Sequence, residues 1–113
     1  MRPEERIATR DALERLRSDG SDMTAPLEME FFVAVPSKQA GDRVAEEILG
    51  LGFECSLEQD FDGGEWTCIC LKKIVPVLET VLRIEEELDA IGRRHGGYGD
   101  GFGSFGNAPG GSH

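Results

Sequence analysis

Positive charge is scarce in this sequence. Its 113 residues include 12 lysines and arginines against 22 aspartates and glutamates, which gives a formal net charge of −10 at pH 7. The acidity is concentrated after residue 25, where seven basic residues stand against sixteen acidic ones. An acidic surface repels phosphate groups, so direct binding to nucleic acid or to an anionic membrane is disfavoured. A basic protein partner, by contrast, would be attracted.

Long hydrophobic runs are also missing. The longest uninterrupted apolar run covers residues 31–35, which is far too short to span a membrane. The start of the chain lacks the basic, apolar and small-residue order of a signal peptide, so we expect a cytoplasmic protein whose three cysteines stay reduced. The length predicts a single domain over residues 1–106, followed by a flexible glycine-rich tail over 107–113.

Hydrophobic periodicity predicts three helices and four strands. The helices are expected over residues 3–18, 38–49 and 76–95, and the strands over 27–35, 53–58, 66–71 and 98–105. After the first helix, this order predicts an α+β fold of the ferredoxin-like split βαβ type (βαββαβ), an antiparallel sheet with helices on one face. The weak apolar stripe of the first helix predicts that it docks on this body as an extra N-terminal element.

The register of the central hairpin determines where the cysteines lie. Cys68 and Cys70 are two residues apart, so they share one face of a strand. A turn centred on Asp62-Gly63 pairs position 55 with position 70 and brings all three thiols to that face, whereas one more turn residue moves Cys55 to the opposite face. We expect neither a metal ion nor a disulfide, because zinc-type ligand spacing is missing and the compartment is reducing.

No set of residues stands out as catalytic. Glu85, Glu86 and Glu87 are consecutive, so they fan around a helix and are predicted to form a solvated outer face. The glycine pattern over residues 101–106 is not followed by the helix that a dinucleotide-binding loop requires. We therefore predict that this protein is not an enzyme, and that it has no catalytic residue and no cofactor.

Two segments are unusual for a plain core domain and are candidate partner contacts. The first is the polar turn after the first helix, and its structural alternative is a helix stop followed by an Asx turn. The second places aromatic residues among glycines, and its alternative is an edge strand whose aromatics cover the sheet. The candidate contact residues are Asp19, Ser21, Asp22, Tyr98, Asp100, Gly101 and Phe102. We expect Tyr98 to pack against the body, and Asp100 and Phe102 to lie at the surface.

The order and spacing of these segments resemble the RraB family, the protein regulators of ribonuclease E activity. The resemblance covers roughly residues 5–106 and includes the turn 19–22, the strand–helix segment 28–53, the hairpin around 62–66 and the ending 98–105. It implies a ferredoxin-like fold and a non-enzymatic regulator that binds ribonuclease E or its assembly and restrains RNA cleavage. The ending departs from the family's Tyr-Asp-Gly-Trp-Gly-Thr pattern, because Gly99 is additional, Phe102 replaces Trp and Ser104 replaces Thr.

Two other functions compete with this interpretation. A small-molecule-binding ferredoxin-like module would have an aromatic-lined pocket of several hundred Å³. A redox or metal module would bring the three thiols to within about 4 Å of a common point. A solid core with an exposed aromatic and acidic patch would favour the regulator. The sequence does not indicate an oligomeric state.

Overall fold

The computed structural model describes residues 3–60, 63–104 and 106, and the elements below are those of this part of the chain. They are α1 (Pro3–Ser18), β1 (Leu27–Val35), α2 (Lys38–Leu49), β2 (Glu54–Gln59), β3 (Trp66–Ile74), α3 (Leu78–Arg94) and β4 (Tyr98–Gly103). The predicted mixture of three helices and a four-stranded antiparallel sheet is confirmed. β3 extends beyond its predicted end, because β1 pairs with it from Leu27 to Val35. The expected tail 107–113 lies outside the described residues.

The sheet has the strand order β2-β3-β1-β4, and each neighbouring pair is antiparallel. β1 lies at the centre, and every second side chain along it is buried on one face. These buried residues are Leu27, Met29, Phe31, Val33 and Val35. An alternation of this kind is what a half-covered sheet requires, and it is the pattern that predicted the strand.

Helices α2 and α3 pack against this buried face of the sheet. A Cβ atom added to Gly41 of α2 would lie 2.7 Å from the Leu57 side chain, and one added to Gly92 of α3 would lie 2.7 Å from Val33. Both glycines therefore let a helix backbone approach the strands closely. The face opposite the helices carries the alternate residues of each strand, including Phe32 and Ala34 of β1.

Helix α1 packs on the outside of α3. Its Thr9 and Leu13 are buried, and Leu13 joins the hydrophobic core. This contact leaves a gap between α1 and the edge strand β4. Across the described ranges, no helix is both long enough and apolar enough to cross a membrane.

Candidate functional site

A groove with a volume of about 480 Å³ lies between α1, α3 and β4. Its floor is aromatic and consists of Phe31 from β1 and Phe102 from β4, while Phe32, whose side chain lies on the opposite face of the sheet, only borders the groove. The ring centroids of Phe31 and Phe102 are 5.9 Å apart, with an angle of 37° between the ring planes. Ala8 and Ala12 line the groove from α1, where their small side chains leave the floor accessible.

The walls of the groove are acidic. Five carboxylate side chains line it, namely Glu5, Glu85, Glu86, Asp89 and Asp100. Among the described residues that line the groove, none is lysine, arginine or histidine. Carboxylates attract cations, and an aromatic floor accommodates both an apolar stem and a cation over the ring face. The groove is therefore chemically matched to lysine or arginine side chains.

Glu85 brings negative charge into the part-buried wall of the groove. Its Oε1 accepts a hydrogen bond of 2.6 Å from the Thr9 hydroxyl, which links α3 to α1. Burial raises the pKa of Glu85 above its usual value, the Thr9 hydrogen bond opposes this, and the charge of Glu5 adds to the rise. The expectation that Glu85 belongs to a solvated face is wrong, because α1 covers it, whereas Glu86 and Glu87 are exposed. A bound cation would relieve this crowding of negative charge.

Asp89 holds β4 against α3. Its Oδ1 accepts a hydrogen bond of 2.8 Å from the Gly99 amide, and its Oδ2 accepts one of 2.8 Å from Arg93 Nε. Burial acts to raise the pKa of Asp89, but the hydrogen bonds from Arg93 and Gly99 outweigh it and hold the pKa below its usual value. Asp89 therefore fixes the position of the strand that carries Phe102 to the groove.

A β-bulge shapes the rim of the groove. The register between β1 and β4 shifts between Phe31 and Val33, and β4 has one residue more than β1 in that interval. Gly101 lies in this interval with a φ of +87°, the left-handed conformation that such a bulge requires and glycine adopts without strain. Gly99, which pairs with Val33, marks the end of this interval on β4. The bulge carries Asp100 and Gly101 to the exposed rim.

The structure brings three of the candidate contacts to this groove, namely Asp100, Gly101 and Phe102. Tyr98, which we expected to pack against the body, has 39% of its surface exposed. Tyr98 pairs with Ala34, and this register places both on the sheet face opposite the helices. Phe102 is only half-buried, and it contacts the core through Phe31.

The turn 19–22 lies outside the groove and has the structure of a helix stop. Gly20 has a φ of +99°, and the Ser21 amide donates a hydrogen bond of 3.1 Å to the Leu16 carbonyl. Asp22 Oδ1 accepts a hydrogen bond of 2.9 Å from the Thr24 amide, as in an Asx turn. Hydrogen bonds from Thr24 hold the pKa of Asp22 below its usual value. Asp19 is exposed, whereas Ser21 is buried.

The three cysteines meet on the helix-covered face of the sheet. Cys55 pairs with Cys70 and Leu57 with Cys68, which is the register that a turn centred on Asp62-Gly63 predicts. Their sulfur atoms lie within 4.8 Å of one another, and all three cysteines are free. Burial raises the pKa of Cys55 to about 11, and the hydrogen bond between Cys68 and Cys70 raises the pKa of Cys70 and lowers that of Cys68.

Sequence reasoning missed the part of the groove that α1 provides. Glu5, Thr9 and Ala12 are spaced by four and three residues, so they share one helix face, and this spacing was the available signal. No feature of the sequence around α1 indicates that this face lies opposite Glu85, because Glu85 is 76 positions away from Thr9 along the chain.

A comparison with protein families gives one finding that covers nearly the whole chain. Residues 6–104 match the family RraB, described as Regulator of ribonuclease activity B. A comparison with curated proteins gives no match. The family match begins within α1 and ends just after β4, so it covers all or part of every element that lines the groove. The chain therefore belongs to the RraB family of regulators of ribonuclease activity.

Proposed function

We propose that this protein is a cytoplasmic, non-catalytic regulator that binds ribonuclease E or its assembly and modulates RNA decay. Family membership supports the regulatory role. The observation that carries the binding surface is the groove, with its aromatic floor and five carboxylates. The element order after α1, together with the central position of β1 and β3, supports a ferredoxin-like assignment for the fold.

The proposed partner surface is a basic segment of the nuclease. Exposed Glu5, Glu86 and Asp100 attract a lysine or arginine through the field of the acidic surface, and the half-buried Phe102 ring contacts the stem of that side chain. A basic segment that is neutralised by these carboxylates cannot at the same time neutralise RNA phosphates. Binding at the groove would thus restrain the nuclease by competing with its RNA, without direct contact between this protein and nucleic acid.

The remaining sequence candidates have lesser roles in this proposal. Asp19 and Tyr98 are exposed, and we keep them as outer contacts of a partner that extends beyond the groove. Ser21 and Asp22 support the turn after α1, and we assign their main effect to stability. Gly101 acts through its backbone, since it holds Asp100 at the rim.

A small cationic ligand is the second candidate function. The observation that favours it is the volume of the groove, about 480 Å³, which lies in the usual range for small-molecule sites. The small-ligand function and the regulatory function differ in the size of the molecule that fills the groove, and this difference can be measured. A site for a small molecule saturates with a low-molecular-weight cation, whereas a docking site for a protein segment requires the polypeptide.

The experiment is a capture of full-length ribonuclease E by the purified protein at low and at raised salt, followed by an RNA cleavage assay. We expect ribonuclease E to be retained at low salt and lost as salt rises, because an acidic surface holds a basic segment by screenable charge. Cleavage of RNA should slow when the protein is added. Retention that is unchanged by salt, or cleavage at an unchanged rate, would contradict the proposal.

A further inference from the structure

The three cysteines form a compact sulfur cluster that the proposed regulatory function does not use. Three atoms that are all within 4.8 Å of one another lie within about 2.8 Å of a common point, which is 4.8 Å divided by the square root of three. Bonds from a metal ion to thiolate sulfur are about 2.3 Å long. Each sulfur atom therefore has to move inward by at most about 0.5 Å to bind an ion in the plane of the three, and by a few tenths of an ångström more to bind a pyramidal ion that lies above this plane.

From this geometry we propose that Cys55, Cys68 and Cys70 bind one soft, trivalent ion of the arsenite type through three sulfur ligands. Thiolates select soft ions over hard ones, because hard cations prefer oxygen ligands. The cluster consists of three cysteines, and among the described residues no histidine or carboxylate adds a fourth ligand. Structural zinc takes four ligands, so the absence of a fourth favours an ion that is satisfied by three.

The surroundings of the cluster select the charge of the ion. Phe31 pairs with Cys70, and Val33 and Leu57 both pair with Cys68, so the adjacent side chains are apolar. A net charge is costly among such neighbours. A trivalent ion with three thiolates is neutral, whereas a divalent ion with the same ligands leaves one negative charge in the core.

The binding reaction balances without an oxidant or a reductant. Arsenous acid carries three hydroxyl groups on one trivalent arsenic atom. Each of the three thiols replaces one hydroxyl group, so that three As–S bonds form, three As–O bonds break and three water molecules leave. The thiol protons leave with the water, and neither arsenic nor sulfur changes its oxidation state.

The position of Cys55 provides a route to the cluster. Cys68 and Cys70 are fully buried, but Cys55 is partly exposed and lies on the edge strand β2. An edge strand is held by one neighbour only, so it opens locally at lower free energy than a central strand. The ion is expected to attach first to Cys55 and then to the two buried thiols.

The test is a titration of the full chain with arsenite, in a buffer that contains a phosphine reductant and no other thiol. Intact mass spectrometry should show one arsenic per chain with the loss of three hydrogens, and a thiol reagent should find no free cysteine in the adduct. The unfolding temperature should rise, because the ion binds the folded state preferentially. Zinc should give no stoichiometric complex under the same conditions.

Cys55→Ser is the decisive variant, because this partly exposed residue is the least costly of the three to change. We expect it to fold and to bind arsenite at least tenfold more weakly than the parent chain. Circular dichroism of each protein establishes that it is folded before the titration. Three results would overturn the proposal: no adduct with the parent chain, equal affinity in the folded Cys55→Ser variant, or tighter binding of zinc than of arsenite.

Discussion

Replacement of Phe102 by alanine separates the structural contribution of this residue from its proposed contact with the partner. Loss of a fully buried phenylalanine costs about 3–5 kcal/mol. Phe102 is half-buried, with its ring 5.9 Å from that of Phe31 and with its other side toward the groove. We therefore expect Phe102→Ala to lower the free energy of unfolding by about 1–2 kcal/mol, which corresponds to a drop of roughly 5–10 °C in Tm.

The assay combines thermal unfolding with a binding titration against ribonuclease E, both well below the Tm of the variant. At that temperature Phe102→Ala remains folded, so any loss of affinity reports the missing contact. We expect at least a tenfold loss, equal to about 1.4 kcal/mol. Phe102→Leu is the matched variant, since it keeps apolar bulk and should recover most of the stability but less of the affinity. Binding by the folded variant at parental affinity would refute the contact, and an unchanged Tm would refute the packing argument.

The remaining predictions concern stability and zinc content. Glu85→Gln should raise Tm at pH 7, because burial raises the pKa of Glu85 and the ionised folded state is disfavoured. Since stability from such a group is lost as pH rises through its folded pKa, this gain should vanish near pH 4, and a gain that persists there would contradict the assignment. Gly97→Ala should lower the free energy of unfolding by about 3 kcal/mol or more, because the added Cβ atom would lie 2.0 Å from the Ala34 carbonyl oxygen. Gly50→Ala is the control, since Gly50 has ordinary helical backbone angles. Equal melting curves for the two variants would count against the clash. Cys68→Ser should cost about 1–3 kcal/mol by burying a hydroxyl group, without loss of ribonuclease binding by the folded protein, and elemental analysis of the purified parent chain should find no stoichiometric zinc.

Local patterns determined most of the fold in advance. The alternation along β1 predicted a strand with one buried face, and the Asp62-Gly63 dipeptide predicted the register that pairs Cys55 with Cys70. Both patterns act between neighbours in the chain or across one short turn. Such signals are strong because a shift of one residue would expose the whole buried face.

The groove could not be predicted in the same way, because it depends on long-range docking. α1 approaches α3 through contacts such as the hydrogen bond between Thr9 and Glu85, and its amphipathic pattern does not specify the partner helix. The face on which Tyr98 lies could not be predicted for a related reason. The β1–β4 pairing and its bulge set the orientation of each β4 side chain, and neither can be read from the glycine-rich sequence alone.

The central claim is that the acidic groove is the surface that binds ribonuclease E. The most direct measurement compares the affinity of the full-length nuclease for Asp100→Lys and for Glu46→Lys at low salt. Both variants change the net charge equally, but Asp100 lies at the groove, whereas Glu46 is exposed on α2 and does not line it. We predict that Asp100→Lys weakens binding at least tenfold, about 1.4 kcal/mol, while Glu46→Lys changes it by no more than about twofold. Equal losses for the two variants, or full affinity of Asp100→Lys, would contradict the claim.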